Sequence, residues 1–535
     1  MASKETVGDS GVSEPNLASE PSGAEVSGAE LSGSTLGGLE ANVAGAESQQ
    51  ADARLGRLRA LAQRGVATLV LRTVVVQVVT FGGQIALARL LEPKDFGIFA
   101  IVQFALSFFV FFGDAGLGSA LIQKKEAPTR EELSSVFFVQ LLIALSVIVL
   151  VFVCGELIPL VWKDLPASAP WLLRALSLGF LLTTLRTLPA ILMERELHFG
   201  KLAVIDLVYT MSFYVTAPTL AWLGYGPWAL VISVLVQGVA ALVVAYALRP
   251  FRPALMFNHK VLRPVLKFGV PFQLNKAVAF VAGALTPIYA GSKLGSGPLG
   301  YINWAQSTAY FPLRLVDVFG RIAFPLYSRL QDDRPVLGET FGRTVYLCAT
   351  VTAYFVGLIF GLGPSLIHIV FGDKWLPALP LLYVYAVTIS FGFLAPLVGA
   401  LLDSTGRPGL LLRLALLWTA LNWAVVPITT SLWGMFGFAL GYAVHVVAGN
   451  LLLVILADKI VPHARLLRRV AAPALTGGLT FAAAKYGCAD WVHGPFQLVG
   501  AILALIALHL GALLVIDRKG LREALSIMPA IKNKA

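Results

Sequence analysis

The chain has 535 residues, of which 57% are hydrophobic and only 13% charged, with a mean hydropathy of +0.77. A soluble domain carries about 25% charged residues. Half that share cannot cover a water-facing surface of this size, so lipid is the main solvent, and soluble enzymes and nucleic-acid-binding proteins are excluded. The first 52 residues hold nine acids against one base, a net of −8. That leaves +19 on the rest of a chain whose formal charge is +11.

In chain order, residues 1–62 form an acidic tail rich in Ser, Gly, Ala and Glu, with an internal echo, SGAEV-SGAEL-SGS, from Ser22 to Ser34. It buries too little apolar surface to offset its ordering entropy, so disorder on the cytoplasmic side is expected. It has neither the basic start nor the apolar run of a signal peptide. Fourteen apolar stretches of bilayer-spanning length follow: 66–91, 96–122, 133–158, 170–193, 203–223, 227–248, 268–291, 299–325, 343–370, 378–402, 410–432, 434–457, 468–487 and 495–516. The shortest breaks are Leu223-Gly-Tyr-Gly and Leu432-Trp-Gly. The expected fold is an all-α polytopic membrane protein with both termini cytoplasmic.

The basic residues support this count. With the N-terminus inside, 27 Lys and Arg fall in cytoplasmic segments. Five fall opposite them: Lys94, Lys163, Lys293, Lys374 and Lys485. A missed span would scramble that alternation. Shifting the chain by 203 places Phe96-Gly97-Ile98-Phe99 on Leu299-Gly300-Tyr301-Ile302 and Asp114 on Asp317. Spans 1–6 (63–248) and 7–12 (249–457) then read as two parallel six-helix lobes. Residues 458–516 add two further helices and 517–535 a basic cytoplasmic tail. Two such lobes around a cavity are a transporter architecture.

Ions inside spans are costly and normally face a cavity or a partner. The basic ones include Arg72, Arg174, Arg186, Lys276, Arg314 and Arg321 beside Arg89 and Arg413, and the acids are fewer, chiefly Asp114, Asp206 and Asp317. The cavity is therefore expected to be cationic, with the first six bases at its wall. The pairs Arg72–Asp114 and Lys276–Asp317 are expected in its cytoplasmic half, where they serve equally well as ties between helices. Arg321 also fits snorkelling to the interface. Arg89 reads as an interfacial anchor. Trp162, Trp171, Trp228, Trp375, Trp433 and Trp491 read as an aromatic belt at the outer surface. Tyr301 and Trp304 fit either that belt or a sugar-stacking face.

Neither a nucleotide-binding glycine loop nor a DxD motif occurs, and the outer loops are short, so neither ATP-driven chemistry nor a membrane ligase or polymerase is favoured. The three cysteines and seven histidines lack CxxC and HExxH spacings, so no cofactor or metal is expected. More membrane bases than acids also count against a drug/cation antiporter.

The stretch LARLLEPKDFGIFAIVQFALSFFVFFGDAGLGSALIQKKE (Leu87–Glu126) resembles the opening of Wzx-type polysaccharide transporters of the multidrug/oligosaccharidyl-lipid/polysaccharide exporter superfamily. MERELHFGKLAVIDLV (Met193–Val208), LGYINWAQ (Leu299–Gln306), FPLYSRLQDD (Phe324–Asp333) and FGDKWLPALPLL (Phe371–Leu382) agree in order. The resemblance covers residues 60–460 and implies a flippase in the bacterial cytoplasmic membrane. It would move an undecaprenyl-diphosphate-linked oligosaccharide for exopolysaccharide, capsule or O-antigen synthesis, by rocking of two lobes. Membrane lipids, and the polymerase and chain-length-control proteins of the same pathway, are the implied partners. Such transporters carry an acid late in helix 7 where this chain has Thr286, so cation coupling at that position is not implied here.

The topology is checked by reporter fusions. Fusions at Lys293 and Lys374 are expected to report the periplasm, and those at Lys260 and Arg407 the cytoplasm. A reversed pattern at either pair would falsify it.

Overall fold

A computed structural model describes residues 75–113, 121, 128–196, 198–252, 254, 256–259, 262–263 and 277–526. Among them the chain is helical and no strand occurs. Ten helices are long and apolar enough to cross a membrane.

In the first half, α1 (Val75–Leu90) and α2 (Pro93–Gly113) precede α3 (Arg130–Cys154), which continues through short turns to Val161. Then come α4 (Ala169–Arg195), α5 (Phe199–Trp222) and α6 (Pro227–Leu248). A capping box starts α3: Glu132 N–H donates to Thr129 Oγ1 (3.2 Å) and Thr129 N–H to the Glu132 carboxylate (2.9 Å). The second half opens with α7 (Ala277–Leu294), which contains a π-helical turn at Thr286–Ala290. It continues with α8 (Ser296–Ala309), α9 (Phe311–Arg329), α10 (Arg334–Leu366), α11 (Leu379–Gly392), α12 (Leu394–Ser404) and α13 (Pro408–Ile460). The chain closes with α14 (Leu466–Ala482), α15 (Pro495–Ile516) and α16 (Arg518–Leu525).

Several expected spans change shape. The stretch 299–325 divides at Tyr310, because Pro312 in the first turn of α9 has no N–H to continue the ladder of α8. The stretch 378–402 divides at Phe393. Helix α10 starts nine residues earlier than expected, where the Asp333 carboxylate accepts from Val336 N–H (3.1 Å). At 33 residues it is about 50 Å long, so it projects beyond a hydrocarbon core of ~30 Å. The expected basic tail after 517 is in part the helix α16. It buries Leu521 and Ala524 against Tyr346 and Leu347 of α10 and ties Glu523 to Arg469 (3.0 Å).

The two short breaks share one device. Gly226, between α5 and α6, has φ 54° and ψ −132°. Gly434, which divides α13 into two helices, has φ 58° and ψ −136°. Glycine reaches that region without the Cβ clash other residues suffer, so each pair of helices reverses within a few residues.

The halves meet through α2 and α8, and the contact is reciprocal. A Cβ on Gly97 would stand 1.7 Å from the Ser296 carbonyl oxygen, and one on Gly300 would stand 1.8 Å from that of Pro93. The 203-residue shift exchanges these two contacts. Beside the crossing lies a clasp. Trp162 Nε1 donates to the Pro287 carbonyl and Trp375 Nε1 to that of Ala88, each at 2.8 Å. The Arg89 guanidinium donates to the carbonyls of Ile369 and Val370, and Lys374 Nζ to the carbonyl of Arg89 (2.9 Å). Asp164 accepts from Ser296 Oγ (2.7 Å) and Ser296 N–H (3.0 Å). These two bonds hold the Asp164 carboxyl below the usual carboxylate range.

The clasp corrects two expectations. Trp162 is 7% exposed and Trp375 0%, so neither stands in a lipid-facing belt. Each indole N–H is satisfied by a carbonyl of the opposite half. Arg89 likewise spends its guanidinium on the backbone of the π turn Ile367–Phe371 rather than on an interface. Trp171, Trp433 and Trp491 are more than half exposed, as a belt requires.

Gly97→Ala and Gly300→Ala are each expected to lower the Tm through an overpacking cost of about 1–3 kcal/mol. Gly297→Ala, with open space around its Cβ position, serves as the neutral control. For the clasp, Trp162→Phe combined with Trp375→Phe removes both indole donors and keeps ring volume. A pair of spin labels at the exposed positions Lys163 and Lys293 is expected to move to longer distances in that variant. An unchanged distribution means that the clasp does not hold the halves together.

Candidate functional site

Between the halves lies a cavity of about 1060 Å³, lined by α1, α2, α7, α8 and both helices of α13. Its ends are fixed by topology. Phe371, at the end of the long α10 rod, lines it beside the clasp. Asp403 and Leu411 line it on either side of the turn between α12 and α13, one full span away. The clasp end is closed by Trp375, fully buried, with Trp304 stacked on it at 4.8 Å and Phe96 edge-on at 5.5 Å.

The wall is mostly neutral. Its polar side chains include Gln103, Gln306, Asn422, Tyr442 and His445, with Thr286 at the start of the π turn of α7. Counting along each helix from the clasp end, the backbones of these residues lie about eight to eleven residues in, roughly 12–17 Å at 1.5 Å per residue, whereas the Trp304 ring reaches back to stack on Trp375 at the clasp. They form a belt at mid-depth. Trp304 (7% exposed) and Asn422 (6% exposed) are buried, and Trp304 Nε1 and Asn422 Oδ1 have no hydrogen-bond partner among the described residues.

The expected cationic wall is not what the described residues form: their lining contains Asp403 and neither Lys nor Arg. Arg174 and Arg186 sit on α4, which packs against α3 and α6 and gives no described residue to the cavity. Arg174 pairs with Glu156 (2.9 Å), donates to the Phe152 carbonyl and lies over the Trp171 ring at 4.7 Å. Arg186 lies over the Tyr209 ring at 5.1 Å. Both guanidiniums are occupied within the first half, so neither is a cavity residue. Arg72, Asp114 and Lys276 lie outside the described residues. Asp317 and Arg321 fall on α9, but their side chains are not among those described, so both expected ion pairs go unexamined.

Arg314 stands apart from these. It projects from α9 to within 3.5 Å of Gln77 Oε1 on α1, and no carboxylate among the described residues pairs with it. One turn away, Phe311 meets the cavity-lining Phe81 at 4.6 Å. Arg314 therefore bridges the halves beside the cavity, about ten residues or roughly 15 Å further from the clasp than Trp304.

Ions in spans do not mark this neutral belt. Its signal was present as amides in mid-span, Gln103 within FAIVQFALS and Asn422 within TALNWAV. An amide in hydrocarbon also needs a partner, so such residues point inward for the same reason charges do. Trp304, which the sequence allows either in the outer aromatic belt or on a sugar-stacking face, is not in a lipid-facing belt. It is buried in the cavity wall.

Residues 86–380 match the family described as polysaccharide biosynthesis protein. Curated relatives include the lipopolysaccharide biosynthesis protein WzxC of Escherichia coli, 25% identical over 66% of this chain and 72% of its own length. The succinoglycan biosynthesis transport protein ExoT of Rhizobium meliloti is 27% identical over 58% of this chain and 62% of its own length. The teichuronic acid biosynthesis protein TuaB of Bacillus subtilis is 27% identical over 56% of this chain and 62% of its own length. The fold is shared with the lipid II flippase MurJ in its inward closed conformation (TM-score 0.68, 15% identity, 84% of this chain and 98% of that one). It is also shared with an inward-facing multidrug resistance MATE transporter (TM-score 0.57, 14% identity, 75% of this chain and 99% of that one). With its family match covering more than half its length and its apolar helices of spanning length, the chain is a multi-pass cell-membrane protein and belongs to the polysaccharide biosynthesis protein family.

Proposed function

We propose that this protein is a flippase carrying an undecaprenyl-diphosphate-linked oligosaccharide across the cytoplasmic membrane for exopolysaccharide, capsule or O-antigen synthesis. The observation that carries the reading is the combination of an inter-half cavity clasped at one end with a guanidinium toward the other, Arg314, which reaches Gln77 of the first half and has no carboxylate partner among the described residues. In this reading fourteen spans form two six-helix lobes, 63–248 and 249–457, with two further helices and both termini cytoplasmic. The clasp then lies on the outer side, and the cavity faces the cytoplasmic leaflet.

The mechanism follows from where the charges stand. The diphosphate sits near Arg314, on the cytoplasmic half, and the glycan extends toward the clasp. Breaking the clasp while the Arg314 side closes presents the glycan to the periplasm. A substrate drives that exchange only through different affinities for the two states. Contacts that bridge the halves, such as Arg314 to α1, supply such a difference. Lys276, Arg72, Arg321 and the acids Asp114 and Asp317 remain proposed contributors to the same cytoplasmic half. Polymerase and chain-length-control proteins are the proposed partners on the product side.

The relatives named for biosynthetic transport favour a transporter over an enzyme. Asp403, the one acid of the described lining, favours a second reading, a drug/cation antiporter. Transport of a cationic dye that is lost in Asp403→Asn but kept in Arg314→Ala would support that alternative.

For the flippase, Arg314→Ala is expected to leave abundance unchanged and to cut polymer export about tenfold or more, since a charge-assisted contact to a diphosphate is lost. Complete lipid-linked units then accumulate in the cytoplasmic leaflet. Arg314→Lys is expected to restore part of the export, as a point charge without the bidentate fork. Normal export by Arg314→Ala at normal abundance refutes this role.

A further inference from the structure

A second cleft, of about 650 Å³, lies in the first half where three helix ends meet: the start of α3, the end of α4 and the end of α6. It shares no residue with the inter-half cavity. Four guanidiniums line it, Arg130, Arg195, Arg249 and Arg252, against one carboxylate, Glu196. The segment after α6 is stapled to the start of α3. Ala254 N–H donates to Ser134 Oγ (3.4 Å), Asn258 N–H to Ser135 Oγ (3.2 Å) and Asn258 Nδ2 to the Glu131 carboxylate (2.6 Å). Three nearby acids are therefore engaged: Glu131 by Asn258, Glu132 in the capping box, and Glu196 by Arg249 (2.6 Å) and His198 (3.1 Å). Glu194 does not line the cleft. Arg195 is half-buried and donates to the Leu121 carbonyl. Arg130 and Arg252 are exposed, and no carboxylate among the described residues pairs with either.

We infer that this cleft holds the phosphate headgroup of an anionic phospholipid, with Arg130 and Arg252 as its principal donors. Four guanidiniums less one carboxylate leave three positive charges around one cleft. They repel one another, and a phosphate both relieves the repulsion and accepts their N–H groups as a bidentate partner. The helix itself gives no reason for Arg130, because a cation in the first turn of α3 opposes the helix dipole. A bound anion supplies that reason. Two features favour a lipid over a soluble phosphate. The rest of the wall includes Leu133, Leu192 and Phe251, apolar surface that the glycerol and upper acyl carbons cover. The stapled segment also exposes Met256 (47%) and Phe257 (58%) although it belongs to no span. Such side chains beside arginines suit the boundary between headgroups and acyl chains rather than water. A lipid bound here bridges α3, α4 and α6 and is independent of what the inter-half cavity carries.

The test uses the purified full chain in detergent micelles, titrated with one probe at a time and read by native mass spectrometry. The probes are dioleoylphosphatidylglycerol, dioleoylphosphatidylcholine and glycerol phosphate, the last carrying the headgroup chemistry without acyl chains. Arg130→Gln with Arg252→Gln removes two donors from the cleft. Arg518→Gln with Arg522→Gln removes the same charge from exposed positions on α16, which packs on α10. The wild type is expected to bind its first phosphatidylglycerol about tenfold or more tighter than phosphatidylcholine. The cleft pair should lose about that factor, while the α16 pair stays within about twofold of the wild type. Lysine at both cleft positions should restore part of the affinity, as a point charge without the fork. Both cleft side chains are exposed, so the lipid-free Tm should not change; if the pair nevertheless fails to fold, Arg252→Gln alone decides, with a loss of about fivefold. The site is overturned if the two lipids bind equally, if the cleft variants bind phosphatidylglycerol as the wild type does, or if the α16 pair loses as much. Glycerol phosphate binding as tightly as phosphatidylglycerol also overturns it, since the ligand is then a soluble phosphate.

Discussion

The backbone-to-backbone approach of α2 and α8 is the constraint on which the rest depends. Without side chains at Gly97 and Gly300, each helix rests on a carbonyl of the other. In lipid there is no water to drive apolar surfaces together, so close packing of small residues and hydrogen bonds must hold helices in place. The crossing brings Trp162 within reach of α7 and Trp375 within reach of α1, and their indoles then satisfy carbonyls of the opposite half. Closure of one end, and the cavity behind it, follow from that geometry.

In the proposed flippase, the clasp is the part that opens. Its bonds are few and directional, and those to Ala88, Arg89, Ile369 and Val370 go to backbone carbonyls near helix ends, where the carbonyls are already short of partners. They can be exchanged for water once the end is exposed. The crossing offers no such alternative, since two backbones in contact either stay together or leave an apolar gap. The proposed transport cycle would thus pivot at α2 and α8, with the clasp beside them as the releasable part.

Charge and neutrality are separated along the cavity. Guanidinium groups that could have entered it are engaged elsewhere: Arg174 with Glu156 and Trp171, Arg89 with the backbone of the π turn. Arg314 is held on the side away from the clasp. The middle is left to amides, hydroxyls and aromatic rings. Such a wall discriminates by hydrogen-bond geometry rather than by attraction, and it avoids the cost of a desolvated ion at mid-membrane.

Helix positions were largely legible in the sequence because lipid imposes one rule on every span: about 20 apolar residues with charges at the ends. The expected 227–248 and 495–516 coincide with α6 and α15, and the weak breaks at Gly226 and Gly434 are real turns. The 203-residue shift places Gly97 on Gly300, but nothing in it indicated that each would rest on a carbonyl of the opposite half. Side-chain roles were not legible. Arg174 and Arg314 look alike as lone bases in apolar stretches, yet one is spent inside the first half and the other bridges the two. Trp375 and Trp433 look alike as aromatic residues near helix ends, yet one is buried and the other exposed. Hydropathy is a local property summed along the chain, so the sequence determined spans, repeat and family. Which face of each helix meets its neighbour depends on rotation and crossing, set by contacts between residues hundreds of positions apart, and only the tertiary structure decided those.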